Sequence, residues 1–191
     1  MDRADLLALI QAHARRWPAD AACADRFAAF ITAHDDCLLR SCRPGHLTGS
    51  AWILSPDHAA VLLVHHRKLG RWLQPGGHAD GDADLFRVAS REAEEETGLR
   101  RFTTLPGGDP PTPLDLDIHE IPAHGPEPAH LHLDVRFLLL AAPGEVARAS
   151  EESTAIRWVP RAQLLAFSDD ESLHRMESRT RAVLARRRPV T

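Results

Sequence analysis

Cysteine is scarce in this chain, and the three present, Cys23, Cys37 and Cys42, are an odd number. A disulfide framework is therefore not expected, and free thiols fit a reducing compartment. Lysine is scarcer still: all but one of the 23 basic residues are arginine, Lys68 being the exception. No large excess of either charge is present, and a net charge of −4 offers no broad field for nucleic acid or membrane surfaces. No apolar run approaches membrane-spanning length. The opening MDRADLLALIQAHARRW is amphipathic and lacks the apolar centre of a signal peptide, so the chain reads as cytoplasmic. Internal repeats and long low-complexity tracts are also absent. What remains, 191 residues of which 43% are hydrophobic, suffices for one good core and is too little for two large domains.

The informative stretch is Gly77–Leu99, GHADGDADLFRVASREAEEETGL. A helix is expected from about Asp84, capped by Asp82 or Asp84, with Gly98 at the left-handed C-terminal position. At about 100° per residue, Leu85, Val88 and Ala89 form an apolar stripe that Glu92 and Glu96 continue, with Glu95 at its flank and Glu94 opposite. Carboxylates on a core-facing side cost several kcal/mol each unless something positive meets them. Arg91 neutralises one charge at most. Oxygen ligands at i, i+3 and i+4 suit hard divalent ions, Mg²⁺ first and Mn²⁺ second.

The stretch resembles the Nudix box, G-x5-E-x7-R-E-U-x-E-E-x-G-U, where U is a bulky apolar residue. Gly77, Arg91, Glu92, Glu95, Glu96, Gly98 and Leu99 fall in register. Two positions depart: the early glutamate is Ala83, and the first bulky position holds Ala93. The resemblance implies an early glutamate that pairs with the motif arginine, so Arg91 needs another partner here, with Asp82 or Asp84 in reach. It also implies metal held by Glu92, Glu95, Glu96 and the Gly77 carbonyl. A loop before a Trp-containing strand often supplies a further ligand or base in this family; Glu152 is the first choice and Glu151 the second, ahead of Trp158. Glu120 and Glu127 are weaker candidates.

Helical spacing over residues 1–40 centres on Leu6, Leu7, Leu9 and Ile10, then Phe27, Phe30 and Ile31, with a break at Trp17-Pro18. Strands are expected at Leu47–Leu54, Ala60–His66, Leu114–Ile121 and, most clearly, His130–Ala141. Proline-rich loops separate them, and the chain turns helical again from Asp170. The expected arrangement is an α/β fold of the Nudix type, an α/β/α sandwich on a mixed central sheet. Residues 1–45 form an N-terminal helical extension, 46–168 the Nudix hydrolase domain, and 169–191 its C-terminal helix.

Further polar residues are candidates for substrate. Arg67, Lys68 and Arg71 lie in the turn before the box, where arginine forks and a lysine charge suit diphosphate oxygens. His78 follows Gly77 directly. His130, His132, Asp134 and Arg136 alternate, giving one strand a polar face that either lines the cleft or sees water; His132 and Asp134 are taken as substrate contacts, although His130 with His132 also suits a transition metal. A rival set, His34, Cys37, Cys42 and His46, contains four zinc-type ligands without a Cys-x2-Cys knuckle, and buried thiols on a helix explain it more simply. Trp72 reads as a wall residue.

By resemblance, the chain is a metal-dependent hydrolase of a nucleoside diphosphate linked to another group X, with Glu92, Glu95 or Glu152 as base and Arg91 as the residue that orients a glutamate. A non-catalytic nucleotide sensor on the same fold is the alternative. An isopentenyl-diphosphate-isomerase-like activity ranks last, because Pro75, Gly76 and Gly77 stand where that enzyme needs a cysteine. The partner expected is a small nucleotide, and residues 1–45 offer a lid or a homodimer contact.

Overall fold

Alternation along two long strands decides which helices cover which side of the sheet. The computed structural model describes residues 2–104, 111–123, 125, 127–151 and 153–186. Helix α1 (Arg3–Arg16) opens on a reciprocal cap between Asp2 and Asp5. It ends at Trp17, after which Pro18–Asp20 forms a 3₁₀ turn leading into α2 (Ala21–Ala33). The helix expected to run toward residue 40 stops at Ala33, because Asp35-Asp36 and then Pro44-Gly45 favour turns. Cys37 and Cys42 are buried as anticipated, but on turns rather than on a helix.

The strands are β1 (Gly45–Leu54), β2 (Ala60–His66), β3 (Arg71–Leu73), β4 (Gly76–His78), β5 (Phe102–Thr103), β6 (Asp115–Ile121), β7 (His130–Ala141) and β8 (Ser153–Pro160). Helix α3 spans Leu85–Thr97, α4 Leu164–Phe167 and α5 Glu171–Ala185. The order β3-β2-β1-β7-β5 forms the spine, with β4 added to β1, β6 to β7 and β8 to β2. Strands β1 and β7 run parallel in unbroken register from Gly45↔Leu131 to Leu54↔Leu140, and the other pairings are antiparallel. The sheet is therefore mixed.

Leu47, Ala51 and Ile53 of β1 pack into one core with Val88 and Ala89 of α3 and with Leu6, Ile10, Phe27 and Ile31 of the N-terminal helices. Trp52 and Leu54, the intervening residues, join Leu173, Met176 and Val183 of α5 in a second core on the other face. This is the α/β/α sandwich. The N-terminal helices share the central core, and each large apolar side chain they bury contributes about 1.5–3 kcal/mol. Among the described residues, no helix is long and apolar enough to cross a membrane.

Beneath α5, the sheet carries charge in place of hydrocarbon. Strand register sets Asp115 opposite Arg136 and Asp117 opposite Asp134. Arg136 donates to Asp134 at 2.7 Å, to Asp115 at 3.1 Å and to Asp117 at 3.0 Å. Arg175 and Arg179 reach down from α5, Arg175 to Asp115 and Asp117, Arg179 to Asp115 and to Asp20. His13, fully buried, lies 2.6 Å from Asp20 and ties the N-terminal helices into the same network.

Candidate metal centre and active site

Helix α3 starts where the sequence indicates. Asp84 is its cap, accepting from the Arg87 amide at 3.1 Å, and Gly98 closes it with φ of 69°, a left-handed conformation that favours glycine. The helix packs on β1 and β4, which puts its glutamates beside the Gly76-Gly77 backbone. Glu96 is 7% exposed and its Oε1 accepts from the Gly76 amide at 2.8 Å. Glu92 has a side chain 16% exposed, and its carboxylate lies against Gly77: a Cβ there would fall 2.4–2.6 Å from it. A side chain at position 77 would push the Glu92 carboxylate aside. Glu94 is exposed, as its helical position requires.

Glu95 differs from the inward position expected of it. Its side chain is 62% exposed, so the flank of the stripe faces solvent. Arg91 also departs from expectation. It is held by neither Asp82 nor Asp84; it donates to the His78 carbonyl at 2.9 Å and to Glu92 at 2.7 Å, and lies 3.9 Å from Glu95. The aspartates are committed elsewhere, Asp82 to Arg87 at 2.6 and 2.7 Å and Asp84 to the helix cap. The loop that lacks the early glutamate is tied by other contacts: Asp80 accepts both arms of Arg40 at 2.8 Å, and the Gly81 amide donates to the Leu38 carbonyl at 2.9 Å. Sequence reading missed Arg40, since nothing local links the turn after α2 to this loop.

The other candidates separate. Arg67 donates to the Glu151 carbonyl and Arg71 to Asp170, so the basic β2–β3 turn, with Lys68 exposed in it, is tied to the segment before β8 and to the cap of α5. Glu152 lies outside the described residues. Asp134 is buried and accepts from Thr48, Ser50 and Arg136, which makes it an anchor of the charged layer. Trp72 packs edge-on against His65 and Phe167, as a wall residue should. The four proposed zinc ligands diverge. His34, Asp36 and Cys42 stay together, Cys37 joins the core, and His46, at the start of β1, sits beside His132 of β7 instead. Burial pushes the Cys42 thiol up to about 11, further from the thiolate that a metal takes.

At the start of β1 and β7, His46 and His132 are register partners, and His119 of β6 lies across from His132. His78 and His130 complete a group whose ring centroids are 4.8–5.5 Å apart. Burial pushes His78 down to about 4, with Arg40 adding to the effect, and burial likewise lowers His46 and His132. These imidazoles are neutral at pH 7.

An α/β/α sandwich on a mixed sheet, with a glutamate-rich helix packed against a Gly-Gly strand, is the class of protein that the fold defines. A family model described as the NUDIX domain matches residues 46–185, and the chain belongs to the Nudix family. Among solved structures, the fold is similar to an Ap4A hydrolase binary complex from C. elegans at TM-score 0.58 and 17% identity, covering 73% of this chain and 97% of that one. A Nudix-family hydrolase from Clostridium perfringens matches at TM-score 0.55 and 20% identity over 71% and 96% of the two chains. The E. coli dihydroneopterin triphosphate pyrophosphohydrolase matches at TM-score 0.52 and 16% identity over 69% and 92%.

Proposed function

We propose that this protein is a divalent-metal-dependent pyrophosphohydrolase that cleaves a nucleoside diphosphate linked to another group X by attack of water on phosphorus. The observation that carries the reading is the placement of the α3 glutamates: Glu92 and Glu96 held against the Gly76-Gly77 backbone, Glu95 open to solvent beside them, and Arg91 between Glu92 and Glu95. Oxygen donors fit a hard divalent cation, Mg²⁺ before Mn²⁺, with Glu92, Glu95, Glu96 and the Gly77 carbonyl to hold it. When bound, that ion supplies charge neutralisation and Lewis acidity at the diphosphate.

The chain's own residues divide the rest of the work. Arg91 fixes Glu92 and the β4 backbone relative to one another, which keeps the donors in place before substrate arrives. We assign the proton of the attacking water to Glu95, whose exposure supports that reading, with Glu92 as the second choice. The leaving group departs as a phosphate monoester, and the captured proton passes to solvent. Two structural neighbours carry names of enzymes acting on polyphosphate chains, an Ap4A hydrolase and a triphosphate pyrophosphohydrolase, in keeping with this bond class. The substitution of Ala83 for the early glutamate favours a binding-only sensor; the Asp80–Arg40 and Asp82–Arg87 ties to the same loop speak for a site still held in shape.

The test is a panel of nucleoside triphosphates, sugar nucleotides, dinucleoside polyphosphates and capped RNA, incubated with Mg²⁺ or Mn²⁺ and followed by phosphorus NMR. Expected is metal-dependent cleavage of at least one diphosphate linkage. Binding of nucleotide without cleavage at saturating metal would establish the sensor instead.

A further inference from the structure

We propose a second, chemically distinct metal site in this protein, for one borderline transition-metal ion with Zn²⁺ as the first choice, held by His46, His130 and His132 at the N-terminal ends of β1 and β7. The strands place these rings. The parallel β1–β7 ladder pairs His46 with His132, and His130, two residues before His132, projects from the same face. One nitrogen from each of the three rings lies within 4.8 Å of the others. In a tetrahedral zinc centre, ligand nitrogens sit about 3.4 Å apart, a spacing that follows from Zn–N bonds of about 2.0–2.1 Å. Binding would draw the rings together by side-chain rotation, the strands already holding their backbones in register.

The hydrogen bonds that are missing matter as much as the geometry. His46 is 3% exposed, and among the described residues neither of its ring nitrogens has a hydrogen-bond partner. Nε2 of His132 is buried and unpartnered in the same way. Burying such polar groups without a partner is unfavourable, and two doing so next to each other point to a ligand that supplies what the protein does not. His130 is prepared from the outside: its Nδ1 lies 2.9 Å from the Pro128 carbonyl, which sets Nδ1 as the proton-bearing nitrogen and leaves the Nε2 lone pair free. His119 repeats the pattern beside the group, with Nδ1 3.0 Å from the Asp117 carboxylate and its ring 5.5 Å from His132, and the fourth position is left to water.

The donor chemistry separates this site from the glutamate centre. Imidazole nitrogens suit Zn²⁺, Ni²⁺ or Cu²⁺ and bind Mg²⁺ poorly, whereas the α3 carboxylates have the opposite preference. A bound ion would cross-link β1 to β7 beside the β4 strand that carries Gly77.

Zinc affinity of the tag-free, chelator-stripped full chain, measured by competition with a chromophoric chelator in excess Mg²⁺, tests the assignment, with Co²⁺ absorption reporting nitrogen coordination. Expected is one tight equivalent that survives Glu92→Gln and weakens by more than about 100-fold in His132→Gln, beyond the range caused by outer-shell changes. His130→Gln, at the half-buried strand start, gives the same readout if His132→Gln does not fold. Retention of zinc by both histidine variants, loss of it in Glu92→Gln, or absence of a tight equivalent in the parent would overturn the site.

Discussion

Two groups of acidic residues occupy this molecule, and they are handled in opposite ways. Beneath α5, Asp20, Asp115, Asp117 and Asp134 meet three guanidinium groups through multiple short contacts, with Asp115 fully enclosed. On α3, Glu92 and Glu95 share Arg91, Glu96 accepts from a backbone amide, and Glu95 faces solvent. The first group has its counter-charges built in and fastens helices to a sheet. The second has a single arginine among three carboxylates beside a Gly-Gly strand, and it is there that the proposed cation would supply the missing charge. Both are acidic clusters in sequence, and charge compensation is what separates scaffold from site.

The comparison can be broken by substitution. Asp115→Ala should have the largest effect, about 3–5 kcal/mol of lost stability in urea unfolding, since it strips a shared partner from Arg136, Arg175 and Arg179. A loss below about 1 kcal/mol would mean that the buried network is slack. Glu92→Gln should leave stability nearly unchanged and reduce hydrolysis by about 10²–10³-fold, the range typical for removing a charge-stabilising group from an active site. If it unfolds the protein while sparing activity, the division of roles is reversed.

Gly77→Ala should come next, at about tenfold or more in activity with a raised Mg²⁺ requirement, because the new methyl would fall 2.4–2.6 Å from the Glu92 carboxylate. Metal-dependence curves for the two proteins check this, and superimposable curves would show that Gly77 is not a cradle.

The smallest effect is on acid stability. Burial alone would raise the Asp117 carboxyl, but the hydrogen bond with His119 and the charges of Arg136 and Arg175 hold it well below the usual carboxylate range. Its contribution is therefore complete above the unfolded value of about 3.9. Below that pH the unfolded chain takes up the proton first, and stability declines until the folded pKa is passed. Asp117→Asn should flatten the fall in unfolding free energy below about pH 4; an unchanged slope would remove Asp117 as a source of it.

How much of this was legible in the sequence follows the range of each interaction. The α3 helix, its Asp84 cap, the Gly98 terminus and the exposure of Glu94 are local, and 3.6-residue periodicity reads them directly. His130–Ala141 and Ala60–His66 were legible as strands for the same reason. Glu95 was placed inward because periodicity gives an angle around the helix and not how wide a face its neighbours cover. Asp134 looked like a cleft residue because alternation reveals a polar face but not what lies against it. The partners that bury it arrive from β1 and β6, and α5 covers the adjoining charges, through pairings set by strand register. Arg40 and His119 were missed on the same ground. Their roles depend on segments brought together only when the sheet closes.

The most direct test compares two neighbouring residues on one helix, Glu96 and Glu94, by the Mg²⁺-dependent kcat/KM on the best diphosphate substrate. The expected result is a loss of about 10²–10³-fold for Glu96→Gln, which keeps the acceptor for the Gly76 amide and removes the charge, and a change within about twofold for Glu94→Gln. Equal effects of the two substitutions would contradict the assignment of the inward-facing carboxylates as the cation site.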